Sequence, residues 1–351
     1  IYDTGSGKSY KGEPTVNVVA NPLPTAGWST ANAQGSAITR TYLEEDGKPF
    51  MRFSAVTNGS DYPRVTNSVF ANSATITGTF STSLEVRGTA GAVLRFRIYQ
   101  NGSTKITNSI TLTSEWTRYT FDNQTTGFNL NQPYFNPATS NATYDIRNIQ
   151  VEAKGHSTQF VDGTRSATQG LLDLTNNVTI NLSNVSFDSN AQMVLDGTDD
   201  TINTGLFSGR NPATDPFTIE AVVKSDTTSG GRMWVDATNN GSNQRLYCAH
   251  AATGTGTPMG IQGSGWSSSA PHDTDYHHYV IVMDGSVARL YNNGEAHSTK
   301  NYTSYQIQAL NIGGRNTYRW FGDIPIFKLY DRALTAEEVA QNYNAFKGRF
   351  L

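Results

Sequence analysis

The sequence predicts an all-β protein: two tandem antiparallel β-sandwiches with one short helix at the C-terminus. Three observations carry that expectation. Short runs of β-branched and aromatic residues alternate with Gly, Asn, Ser and Thr clusters along nearly the whole chain. Helical spacing of apolar residues appears at one place, where Val339, Tyr343 and Phe346 follow Thr335 and Glu338. At 351 residues the chain is too long for one ordinary sandwich and suits two domains of about 150 residues each.

The elements follow in order. Residues 1–16 are rich in Gly, Ser and Lys, have no period and read as a connector. Gly7-Lys8-Ser9 imitates the end of a phosphate loop, but the first glycine of that motif would have to replace Tyr2, and no helix follows. Nucleotide binding is excluded on both counts. Between residues 17 and 164 the best strands are 50–53, 84–87, 94–99 and 116–121. In the third, Leu94, Phe96 and Ile98 share one face while Arg95 and Arg97 share the other. Trp28 and Trp116 suit either the core or a platform on which a sugar ring stacks.

From residue 165 a second set of runs begins. Phe217, Ile219, Ala221 and Val223 alternate inward along one strand. His277 opens an apolar run that ends at Asp284-Gly285, and a second run ends at Asn293-Gly294. Such dipeptides between β-runs predict tight type I′ turns, hence a meander. Pro325 within the final strand predicts an edge or a bulge there. Thr335, three residues before Glu338, makes a capping box for the helix.

Composition narrows the function classes. Aromatic residues at 11% can fill a core, which argues against disorder. A formal charge of −3 with no Lys/Arg cluster excludes a nucleic-acid surface. No apolar run reaches membrane-spanning length, so no membrane insertion is expected. The single cysteine, Cys248, excludes an internal disulfide and reads as a small buried hydrophobe.

Catalytic chemistry is also missing. Glycoside hydrolysis needs two carboxylates across the scissile bond, and no strand carries them at the required spacing. Nucleophilic catalysis lacks an orienting base, so no enzyme is expected. His277 and His278 are adjacent, face opposite sides of a strand and cannot chelate together. His272 with Asp273 and Asp275 reads as a solvated loop or a metal cluster. Asp196, Asp199 and Asp200 could offer oxygens to calcium or simply make a turn. No cofactor is expected, and a structural calcium stays open. Recognition remains: Trp266 in the loop 254–269, and Arg315, Asn316, Tyr318 and Trp320 in 313–320, are the candidate carbohydrate-binding residues. Trp320 suits core packing equally well.

Several phrases carry resemblances. Asn17-Val18-Val19-Ala20-Asn21-Pro22 with Gly27-Trp28, and Tyr144-Asp145-Ile146-Arg147-Asn148-Ile149, resemble the ends of family 4/9-type carbohydrate-binding modules. That likeness implies a jelly roll over 17–164. Modules of this class often hold a calcium with an acid about where Arg147 stands. His277-His278-Tyr279 through Asp284-Gly285, then Leu290-Tyr291-Asn292-Asn293-Gly294, resembles the laminin-G-like, concanavalin A-like jelly rolls. So do Trp320-Phe321-Gly322-Asp323-Ile324 and Tyr330-Asp331-Arg332-Ala333-Leu334-Thr335, which extends the likeness over 165–351. Ser9-Tyr10-Lys11-Gly12-Glu13-Pro14 and Gln159-Phe160-Val161-Asp162-Gly163-Thr164 resemble wording in surface proteins of tailed bacteriophages. The resemblance implies a structural, decoration or fibre protein on a virion surface. Its expected partners are other virion subunits, cell-surface glycans and further copies of itself, as a homo-oligomer. The alternative is a pair of accessory glycan-binding domains in a secreted bacterial adhesin or polysaccharide-degrading enzyme.

Overall fold

A computed structural model describes the chain except residues 1, 33–34, 58–62, 68–75, 77, 101–102, 127–131, 183, 205–210, 212–213, 229–231, 239–244, 251–259, 262–272, 286, 302–308, 316–317 and 351. The protein is all-β with a single C-terminal helix among the described residues, Ala336–Phe350. Packing divides it into two compact units. One comprises Thr15–Arg165 with Ser189–Ala191, the other Ile1–Pro14, Ser166–Asp188 and Gln192–Leu351.

In the first unit two five-stranded antiparallel sheets enclose one core. One sheet runs Thr117–Thr126, Gly78–Gly88, Ala142–Glu152, Lys48–Val56, Ala37–Glu45. The other runs Trp28–Ala31, Arg64–Asn67, Gln132–Pro137, Val93–Gln100, Ser103–Thr111. The predicted alternation holds: Leu94, Phe96 and Ile98 are buried in a core that also contains Phe53, Phe80, Phe135 and Tyr144. Trp28 takes the core alternative, 1% exposed, with its ring 5.3 Å from that of Phe135.

In the second unit an eight-stranded sheet is organised around Phe321–Tyr330, Phe217–Ser225 and Tyr276–Asp284. A seven-stranded sheet built on Arg232–Thr238 and Ala309–Ile312 faces it across a core containing Trp234, Tyr279 and Phe327. Asn293 and Gly294 have φ of 50° and 81°, as a type I′ turn requires. The other hairpin differs from expectation. Asp284 is still paired, with Val287, so Gly285 at φ 62° opens the turn. Pro325 lies in a bulge: Val222 pairs with Ile326 and Lys224 with Asp323, so Ile324 and Pro325 share one opposing residue.

The helix carries its predicted cap. Thr335 N donates to Glu338 Oε2 at 2.9 Å, and Glu338 N donates to Thr335 Oγ1 at 3.3 Å. Val339 and Phe346 bury the docking face, and Tyr343 packs over Gly294.

Residues 1–16 correct the sequence reading, because they are not a connector. Tyr2 and Asp3 add a strand to the final one, opposite Phe327 and Ile326, and Tyr2 is fully buried with its hydroxyl donating to Ile324 O at 3.1 Å. Tyr10 bridges Leu171, while Thr15 and Val16 pair with Arg165 and Thr164 in the first unit. Two buried aromatic rings anchor a segment too short for its period to show in sequence.

Candidate functional site

Gly314–Arg315 and Tyr318–Arg319 pair antiparallel as a small hairpin in the second unit, with Gly314 opposite Arg319 and Arg315 opposite Tyr318. Gly313 and Gly314 have φ of 90° and 82°, and a Cβ on Gly314 would lie 2.2 Å from Tyr318 O. Only glycine fits there. Tyr318 stands 43% exposed. Trp320 does not belong with it. It is fully buried, and its Nε1 donates to Asp323 O at 3.3 Å, so the expectation that it binds sugar fails in favour of core packing. Arg315 contributes backbone to the hairpin, while Asn316 and Trp266 lie outside the described residues.

Arg319 ties this hairpin to the Asp196–Thr201 turn, donating through Nη1 to Asp200 O at 3.5 Å, to Gly314 O at 3.1 Å and to Thr201 Oγ1. Asp196, Asp199 and Asp200 bring their carboxylates within 4.8 Å of one another. Asp200, however, is fully buried and locks the turn. Its Oδ1 accepts from Ser186 N at 3.1 Å and its Oδ2 from Asp196 N at 2.6 Å. Burial pushes its pKa up, and these donors offset that only in part. Of the two readings of this acidic phrase, the turn is the one its hydrogen bonds describe.

The two histidines point to opposite faces, as adjacent strand residues must. His277 Nε2 is 2.8 Å from Asp273 Oδ1, and its ring stacks on Tyr279 at 5.5 Å. His278 Nε2 is 2.9 Å from Glu220 Oε1 beneath the helix, where Tyr330 OH and Asn342 Nδ2 also donate to Glu220 Oε2, at 2.6 and 2.9 Å. The partners of Glu220 in this buried cluster lie 58, 110 and 122 residues from it in the sequence.

In the first unit Trp116 is half-buried and its ring is already engaged. The guanidinium groups of Arg87 and Arg147 lie 4.6 and 4.0 Å from its centroid, and its Nε1 donates to Glu45 Oε2 at 2.8 Å. Arg147 pairs with Glu85 at 2.7 Å. Arg52 and Arg87 both bind Asp145, at 2.7 and 2.9 Å.

The opposite sheet of the same unit presents a different face. Val65, Leu94, Phe96, Ile98 and Phe135 point into the core, so their strand neighbours point away from it. Ser29, Thr66, Tyr134, Arg97 and Thr107 form one cross-strand row. Asn136, Arg95 and Ser109 form the next. Arg64 lies over the Tyr134 ring at 5.5 Å, and Arg95 Nη1 donates to Asn136 Oδ1 at 3.3 Å. Tyr134 and Asn136 are buried as a floor; Arg64, Arg95 and Arg97 are half-exposed above it, and Thr107 and Ser109 are open. Sequence periodicity found Arg95 and Arg97 on one face but not the partners that other strands bring beside them.

These features define a class: β-sandwich units with polar and aromatic surface faces. Residues 196–340 match the concanavalin A-like lectin/glucanases superfamily (Laminin_G_3). No curated protein sequence matches the chain. Among solved structures it is similar to the CBM40 of the Ruminococcus gnavus IT-sialidase, with 13% identity, 41% of this chain, 97% of that one and a TM-score of 0.32. It is also similar to domain 4 of AbnA, a GH43 extracellular arabinanase from Geobacillus stearothermophilus, in complex with arabinotriose. That match has 14% identity, 47% of this chain, 80% of that one and a TM-score of 0.33. A CBM4 structure matches at 18% identity, over 42% of this chain and 97% of that one, with a TM-score of 0.29.

Proposed function

We propose that the protein is a non-catalytic glycan-binding protein and that the arginine face of its first unit takes the carboxylate of an acidic sugar. The observation that carries this is the pair of cross-strand rows holding Arg95 and Arg97, with Arg64 over the tyrosine floor. Arg95 and Arg97 are two residues apart on one strand, about 6.5–7 Å, a span that a carboxylate-bearing ring can bridge. A guanidinium presents two parallel N–H groups that match a carboxylate, and the hydroxyls of Thr66, Thr107 and Ser109 suit sugar hydroxyls. The absence of catalysis is supported by Asp145, Glu85 and Glu45, whose carboxylates are held by guanidinium groups. Such groups are poor general acids and bases.

Calorimetric titration with oligosaccharides bearing carboxylates, beside neutral counterparts, tests the reading. Acidic sugars are expected to bind and neutral ones not, with Arg97→Gln weakening binding by about tenfold or more, since a charged hydrogen bond contributes about 1.5–3 kcal/mol. Equal binding of both sugar classes, or an Arg97→Gln variant that binds as tightly as the parent, refutes it. For the setting we propose display on a tailed-phage virion, supported by the phrases at residues 9–14 and 159–164. Immunogold labelling of purified particles tests that placement. A secretion signal with a catalytic domain in the same gene product would favour a secreted adhesin or polysaccharide-degrading enzyme instead.

A further inference from the structure

Asn136 is fully buried although its strand position points away from the core, next to the inward-facing Phe135. It lies directly opposite Arg95 on the strand Val93–Gln100. On its other side Tyr134 pairs with Thr66 and Phe135 with Val65, so the same register brings Asn136 alongside Arg64. One amide therefore sits between two arginines in a cross-strand row, about 4.7–4.9 Å from the strand on either side.

Both ends of that amide are used. Its Oδ1 accepts from Arg95 Nη1 at 3.3 Å, and its Nδ2 donates to Pro63 O at 3.0 Å, one residue before Arg64. These partners allow a single orientation, because a guanidinium only donates and a carbonyl only accepts. The position thus needs a donor and an acceptor on one short side chain. An ionised aspartate could hold Arg95 but would set a carboxylate oxygen against Pro63 O. An aliphatic side chain would leave both partners without their bond. Closed off from water, the two bonds are stronger than they would be at the surface.

The consequence falls on the half-exposed guanidinium above. An arginine that rotates freely must be ordered when a ligand arrives, and that lost freedom weakens binding by about two- to tenfold. Arg95 is already tethered through Nη1, and the backbone that leads into Arg64 is tied to the same side chain.

We propose that Asn136 is a positioning residue of the arginine face: it holds the Arg95 guanidinium, and anchors the backbone that carries Arg64, before an acidic sugar binds. The proposal rests on that face being the carboxylate site, and two measurements separate the one from the other. The first needs no ligand. Side-chain NMR follows the Nη signals of Arg95, which are distinct when the guanidinium turns slowly and merge when it turns fast. Distinct signals are expected in the parent and in Asn136→Asp, which keeps the acceptor, and merged ones in Asn136→Leu. The second titrates the intact chain with trigalacturonate and with a hyaluronan tetrasaccharide. Asn136→Leu is expected to weaken binding about two- to tenfold. In an Arg95→Gln background it is expected to change nothing further, because residues that act through one another are not additive. Circular dichroism verifies folding; if Asn136→Leu does not fold, Asn136→Ser, whose hydroxyl is too short to span both partners, replaces it in each arm. Merged Arg95 signals in the parent, parent-like binding by the variant, or a loss undiminished in the Arg95→Gln background overturns the positioning role and leaves the carboxylate site standing. Binding of neither saccharide by the parent overturns the carboxylate site, and this proposal with it.

Discussion

Glu220 offers the sharpest test of how the helix is held. Its side chain is fully buried between sheet and helix, accepting from His278, Tyr330 and Asn342, with Lys328 Nζ at 3.8 Å. Glu220→Ala leaves all four groups without their common acceptor. Breaking a buried charged network by removing one partner costs about 3–5 kcal/mol. For a folding unit of this size each kcal/mol lowers Tm by about 2–4 °C, so the loss is roughly 6–20 °C in that unit's calorimetric transition. Burial alone would raise the Glu220 pKa, but the His278 hydrogen bond, Lys328 and Tyr330 outweigh it. The folded value therefore sits below the ordinary 4.5. A depressed carboxyl gives stability that is fully present above 4.5 and is lost as pH falls through the folded value. Glu220→Gln should therefore be less stable near neutrality and should lack that part of the acid loss. An alanine variant within about 1 kcal/mol of the parent, or a glutamine variant with the parent's acid profile, would refute this account of the cluster.

Two further outcomes follow from other elements. Tyr2→Ala should destabilise the second unit by about 3–5 kcal/mol, as removal of a buried aromatic ring does, measured by urea denaturation; a change near zero would return residues 1–14 to the status of a connector. Thr335→Ala removes the helix cap and should cost about 1 kcal/mol, with a matching loss of amide protection in the helix's first turn by hydrogen exchange.

What could be read from the sequence was local. Asn293-Gly294 and the Thr335–Glu338 box declare themselves because turn and cap chemistry involve neighbours within a few residues. Pro325 announced its bulge for the same reason, since a missing N–H constrains its own strand. Trp320 misled because it follows Tyr318 and Arg319 in a run that looks like a surface patch, while the hairpin turns its ring into the core. Glu220 gave no sign of its role, standing in a strand where charged residues normally face water. His278 comes from a strand 58 residues away, and Tyr330 and Asn342 approach only after a strand and a helix 110 and 122 residues away fold over it. The arginine face was half visible: period two put Arg95 and Arg97 together, but Tyr134 and Arg64 reach them through strand pairing at long range.

The docking of Tyr2 and Asp3 on the final strand sets a timetable for synthesis. The hydroxyl of Tyr2 finds its acceptor 322 residues downstream, so nothing can seat it until the last strand has left the ribosome. Almost all of the first unit, Thr15–Arg165, has emerged long before then. At about 5–20 residues per second the opening segment waits on the order of ten to forty seconds after that unit is complete. Through that interval Tyr2 and Tyr10 are solvent-facing aromatic side chains on an unplaced segment, available to any chaperone that reads such signals. The second unit is thus closed by segments that lie on either side of the first unit in the chain, and that seam forms only after Phe321–Tyr330 has been made.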